Sequence, residues 1–147
     1  DRAVVTEGHD LVRACLRRNQ PGPFQLQAAI AAVHADAPTA DRTDWAQIVA
    51  LYDVLQTLAP GPVVALNRAV ALAMRDGPEA SLFLIDDLLA RGELQDYRFA
   101  HAARADLCRR LGRTAEAADA YRHAIALGRP GPELRFLQRR LDALQGS

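Results

Sequence analysis

Residues 111–130 read LGRTAEAADAYRHAIALGRP, and the fold is decided by how that stretch is parsed. Gly112 stands between two segments rich in alanine and leucine, both strong helix formers. A glycine there can take the left-handed conformation that closes one helix before the next begins. Beyond it, Ala117, Tyr121 and Ala124 recur at steps of four and three residues, which places them on one helical face. Small residues are needed where paired helices cross closely, and a bulky one where a helix meets the next layer. The stretch predicts a hairpin of two helices, over 98–111 and 114–127.

Working outward, the same arrangement recurs. Gly77, 35 residues before Gly112, separates segments 63–75 and 78–90 in "DGP". The triplet PGP stands at Pro21, Pro60 and Pro130, each time with a helical pattern behind it. Proline lacks the amide donor and clashes with the preceding turn, so the triplet closes one helix and opens another. Between Asp44 and Ala59, Trp45, Ile48, Leu51, Tyr52, Leu55 and Leu58 form one broad apolar stripe, with Thr43 or Asp44 as the cap. A helix over 24–36 precedes it across the polar loop APTADRT. Val5, Leu11, Val12, Cys15 and Leu16 mark a leading helix. The last helix has Leu134, Leu137, Leu141 and Leu144 on one side and Arg135, Arg139 and Arg140 on the other, as the end of a stack requires.

A helix–turn–helix unit of about 34 residues is the signature of tetratricopeptide repeats, and the quoted stretch resembles the second half of one. DWAQIVALYDVLQTLAP, ending at Pro60, fits the same template; GPEASLFLIDDLL fits it less well, with Leu82 where alanine is usual. The expectation is an all-α fold, a single tetratricopeptide-like domain of helical hairpins over 1–147. Its parts are a leading helix at 1–20, repeats at 23–60, 62–91 and 97–128, and a capping helix at 132–145. In such arrays the first helix of each pair lines the side that holds partners. That places Gln25 and Gln27, then Asn67, Arg68 and Arg75, then Asp106 and Arg109 as candidate partner-binding residues. Asn67 beside Arg68 is the most pointed pair, because an amide next to a guanidinium can grip backbone or carboxylate. The structural alternative is that Asn67 bridges helices within the stack. The carboxylate clamp of peptide-end-binding repeat domains is incomplete, since the corresponding first-repeat positions are alanines.

Composition narrows the chemistry. Eighteen basic residues, all arginine, balance eighteen acids, so no bulk field favours nucleic acid or membrane. The halves differ: residues 1–97 carry 8 arginines and 13 acids, residues 98–147 carry 10 and 5. Cys15 and Cys108 make no disulfide framework and fit a reducing cytoplasm. No apolar run reaches the roughly 20 residues of a membrane span. His9, His34, His101 and His123 are scattered without metal-ligand spacing. Gly22, Gly61 and Gly131 lie between prolines, which remove the amides a phosphate would need. Ser81 and Ser147, the only serines, sit in no nucleophile elbow. Asp86 and Asp87 point about 100° apart on a helix and cannot share a proton as a dyad. The expectation is a chain that is not an enzyme and uses no cofactor or metal.

Taken in order, QPGPFQLQAAIAAVHADAPTADRTDWAQIVALYDVL, PVVALNRAVALAMRDGPEASL, ARADLCRRLGRTAEAADAYRHAIAL and ELRFLQRRL resemble one known extension. It is the C-terminal tetratricopeptide-like extension of a subgroup of actinobacterial-type extracytoplasmic-function (ECF) sigma factors. The resemblance implies a cytoplasmic regulatory module that tunes transcription initiation by contacting the sigma core of its own chain or RNA polymerase. It also implies promoter-reading domains ahead of Asp1, so DNA would be met only through them, and a small YCII-like protein as a possible partner. A freestanding adaptor that captures a peptide or protein in trans is the alternative; a direct nucleic-acid binder ranks last.

Overall fold

The computed structural model describes residues 23–36 and 43–146, and every regular element there is an α-helix. In chain order they are α1 (Pro23–Asp36), α2 (Trp45–Leu58), α3 (Pro62–Asp76), α4 (Pro78–Ala90), α5 (Arg98–Arg110), α6 (Thr114–Leu127) and α7 (Pro132–Gln145). These limits match the sequence reading to within a residue or so. The leading helix read over 1–20 lies outside the described residues, as does most of the loop before α2.

Local chemistry explains the limits. The second proline of each PGP triplet, Pro23, Pro62 and Pro132, is the first residue of its helix. At that position no amide is lost, because first-turn amides have no intrahelical partner, and the ring pre-sets the helical φ. The glycine before it caps the helix through its carbonyl: Gly61 accepts from the Ala65 amide and Gly131 from the Arg135 amide, both at 3.1 Å. Of the two candidate caps for α2, it is Asp44 that accepts from the Gln47 amide, at 3.1 Å.

Gly112 ends α5 with φ +75°, and the bonds around it satisfy the helix's last carbonyls. The Arg113 amide reaches back to the Cys108 carbonyl at 2.9 Å, and the Gly112 amide to that of Arg109 at 3.1 Å. That is the six-to-one and five-to-two pattern of a left-handed closure. Gly92 closes α4 in the same way at φ +78°, a closure the sequence reading did not single out. Gly77 does something different. Its φ of +103° goes with an extended ψ of 168°, and it serves as the cap that opens α4 with Pro78 behind it. Closing and opening both demand glycine, but through different backbone geometry.

Contacts divide the chain into two compact units, Asp1–Arg75 and Asp76–Ser147. The division falls inside the segment read as the second repeat, at the turn before Gly77. In the first unit Leu26, Ala29, Ile30 and Val33 of α1 pack with Ile48, Val49, Leu51 and Leu55 of α2, and Ala71 of α3 joins them. Trp45 stands at the margin of this cluster. It is only partly buried, with its ring edge-on to His34 at 5.2 Å, because it is the first residue of α2 and falls beyond the centre of the stripe.

In the second unit α5 packs on α4 and α6, and α6 also packs on α7. Ala105 of α5 and Ala117 and Ala124 of α6 have no exposed surface, and Tyr121 is buried beside the two α6 alanines. This is the small–large pattern read from residues 111–130. Leu82, the departure from the repeat template, is itself buried.

Burying one leucine side chain stabilises a fold by about 1.5–3 kcal/mol, and truncating it adds a cavity term. Leu55→Ala is therefore expected to lower stability by about 2–5 kcal/mol. Trp45→Ala should lower it by less, about 1–3 kcal/mol, since part of the ring already meets water. Urea unfolding followed by circular dichroism, which does not depend on the single tryptophan, measures both.

Candidate interaction surface

The first unit carries five of the residues singled out from sequence. Gln25 and Gln27 are exposed on α1. On α3, Asn67 and Arg68 are half-buried and Arg75 is exposed in the last turn. Arg68 is already engaged: its Nε donates to Oδ1 of Asp53 on α2 at 2.5 Å. The link that ties α2 to α3 thus runs through the guanidinium and not through the Asn67 amide. Asp53 was not among the sequence candidates. It follows Tyr52 on the polar edge of the α2 stripe, and nothing in its local pattern indicates a partner fifteen positions away.

In the second unit the structure brings the two predicted residues together. Asp106 Oδ1 accepts from Arg109 Nη2 at 2.7 Å, while Oδ2 lies 3.2 Å from Arg110 Nε. These pairings at three and four residues along α5 were legible in principle, since such neighbours share a helical face. The Asp106 carboxylate, with help from the Tyr121 hydroxyl, raises the Arg109 pKa above its ordinary value against the effect of burial.

A polar residue that sequence reasoning passed over joins three helices. Arg104 of α5 donates from Nε to Asp86 Oδ1 on α4 at 2.6 Å and from Nη2 to Glu116 Oε2 on α6 at 3.1 Å. One guanidinium therefore joins three helices. Burial disfavours its charge, but the Asp86 carboxylate outweighs that and raises its pKa. Asp87 turns away from this group and pairs with Arg91, so the adjacent carboxylates serve separate partners. One turn beyond Arg104 lies Cys108, fully buried, its thiol pKa raised chiefly by that burial.

Two histidines that look scattered in sequence also meet. His101 of α5 and His123 of α6 stack with ring centres 5.0 Å apart. His101 is buried, with Nε2 at 2.8 Å from the Gln95 carbonyl; His123 is exposed, with Nδ1 at 3.2 Å from the Asp119 carbonyl. Each ring nitrogen named here faces a backbone oxygen, an arrangement suited to packing two helices. Among the described residues no group of three His, Cys, Asp or Glu side chains comes together to hold a metal ion, and no helix is long and apolar enough to cross a membrane.

The described residues define an all-α chain of helical hairpins, with ion pairs both along single helices and between helices. Among curated proteins it is similar to an uncharacterized protein of Rhizobium meliloti (strain 1021), with 43% identity over 143 residues. The match covers 97% of this chain and 33% of the relative, so the chain spans about a third of that protein's length. No family model matches the sequence, and no solved structure matches it.

The setting of Cys108 can be tested chemically. In a Cys15→Ser background Cys108 is the single thiol. The thiolate is the reactive form, so a buried thiol of raised pKa reacts slowly. Iodoacetamide at pH 8 should modify it at least about tenfold more slowly in native protein than in urea, because a wholly buried thiol meets the reagent only when the fold opens. Mass spectrometry along a urea titration should show labelling that follows the unfolding transition.

Proposed function

We propose that this chain is the regulatory protein-interaction module of an extracytoplasmic-function sigma factor, tuning transcription initiation by contacting the sigma core or RNA polymerase. The observation that carries this reading is the ordered set of four sequence stretches, from QPGPFQL to ELRFLQRRL, which resemble that extension along nearly the whole chain. The helical hairpins fit it, and so does a relative in which the matching stretch makes up a third of a longer protein. On this reading promoter DNA is met by other domains, and the module works through protein surfaces in the cytoplasm, a small YCII-like protein being one candidate partner. Arg68 and Asn67 remain the candidate contact in the first unit, with the pairing to Asp53 holding the guanidinium in place until a partner carboxylate competes for it.

The coding sequence upstream of Asp1 separates this from a freestanding adaptor: sigma-type helical domains are expected there, and their absence would favour the adaptor. In run-off transcription with the full-length protein, Arg68→Ala should change promoter-directed output at least about threefold, the loss of one charge-assisted contact being worth more than that. Asp53→Ala should change it less. Equal effects of the two substitutions would make the pair a structural tie only.

A further inference from the structure

We propose that the end of the second unit formed by the first turn of α5, residues 128–131 and α7 binds an acidic peptide segment of a partner protein, its carboxylates held by Arg98 and Arg129. This goes beyond the transcriptional reading and does not depend on it.

A pocket of about 230 Å³ opens here, with Arg98, Arg129 and Glu133 at its polar side and Leu134 and Leu137 at its apolar side. Its remaining wall is the backbone of residues 128–132, where Gly128 and Gly131 place no side chain over the opening. The loop is stiffened by Pro130 and Pro132, which also remove amides. Recognition of an anion at this place therefore falls to guanidinium groups, whose planar fork matches a carboxylate in two parallel hydrogen bonds.

The two arginines are suited to it. Arg98 is held only loosely, its Nε 3.5 Å from Glu133 Oε1, while its guanidinium lies over the exposed Phe99 ring at 4.6 Å. Arg129 is exposed and has no ion-pair partner among the described residues, in contrast to Arg68, Arg104 and Arg109. On α7, Arg140 repeats the arrangement of Arg98, its guanidinium 5.1 Å from the centre of the exposed Phe136 ring. A cation resting on a ring keeps its N–H edges directed outward, available to a carboxylate in the ring's plane. Apolar side chains of the same peptide would meet Leu134 and the accessible edge of Leu137.

Charge complementarity selects an acidic peptide. Residues 98–147 hold 10 arginines against 5 acids. A nucleic acid fits less well. The Glu133 carboxylate at the pocket would repel a closely charged phosphate chain, whereas spaced carboxylates can avoid it and a peptide N–H can donate to it.

The test uses fluorescence anisotropy at low salt with the whole chain and a fluorescein-labelled, end-blocked peptide of glutamate and leucine. The counterpart with lysine for glutamate and a mixed-sequence DNA duplex serve as comparison probes. Saturable binding of the acidic peptide is expected, with the lysine peptide not bound. Arg98→Ala and Arg129→Ala should each weaken binding about tenfold, the size of one charge-assisted pair. Arg122→Ala, whose side chain pairs with Asp119 elsewhere on α6, should leave it unchanged. Arg129 is exposed and supports no other residue, so its variant keeps the fold, which circular dichroism verifies. Failure of the acidic peptide to bind, binding undiminished in Arg129→Ala, or tighter binding of the duplex than of the peptide would each overturn the proposal.

Discussion

The second unit depends on the close approach of α5 and α6. Ala105, Ala117 and Ala124 present only a methyl group each and are wholly buried, so the two backbones can come together with little between them. A larger side chain at any of the three would have to displace a helix, because packed interiors do not absorb extra volume cheaply. Tyr121, itself buried, lies on the same face of α6 as Ala117 and Ala124. The Arg104–Glu116 pair and the His101–His123 stack both span this seam.

Arginine is the only strong base in the chain, and its distribution divides the surface by function. Between helices guanidinium groups are committed, Arg68 to Asp53 and Arg104 to Asp86 and Glu116, and along α5 Arg109 and Arg110 are committed to Asp106. A committed guanidinium can serve a partner only by giving up a contact it already has. Those at the far end of the second unit, on residues 128–131 and α7, lie over phenyl rings or face solvent. What distinguishes these arginines is how closely a carboxylate holds each one: Arg104 lies 2.6 Å from Asp86, Arg98 3.5 Å from Glu133, and Arg129 has no ion-pair partner among the described residues.

Much of the architecture could be read directly. Proline in PGP acts on its own residue and the turn before it, and glycine at 112 acts on the helix it closes, so helix limits followed from a few letters. The α2 stripe was equally plain through Ile48, Leu51 and Leu55, because burial repeats every three or four residues on a helix facing a core, but Leu58 in the last turn is exposed. Departures came where position along the element mattered more than periodicity. Trp45 fits the stripe but begins the helix, and so it sits at the edge of the core; Gly77 marks a turn but opens a helix instead of closing one. The division into two units at Arg75 cuts across a pair that the repeat template joins.

By itself, then, the sequence determined an all-helical chain, its punctuation and the faces each helix would bury, because these depend on interactions reaching no further than about four residues. Only the tertiary structure decided which charges meet. Asp53 and Arg68 are 15 residues apart, Asp86 and Arg104 are 18, and Arg104 and Glu116 are 12. Such pairs form or fail according to how two helices are rotated and slid against one another. That setting comes from the fit of their apolar faces and leaves no local trace in the letters that carry the charge.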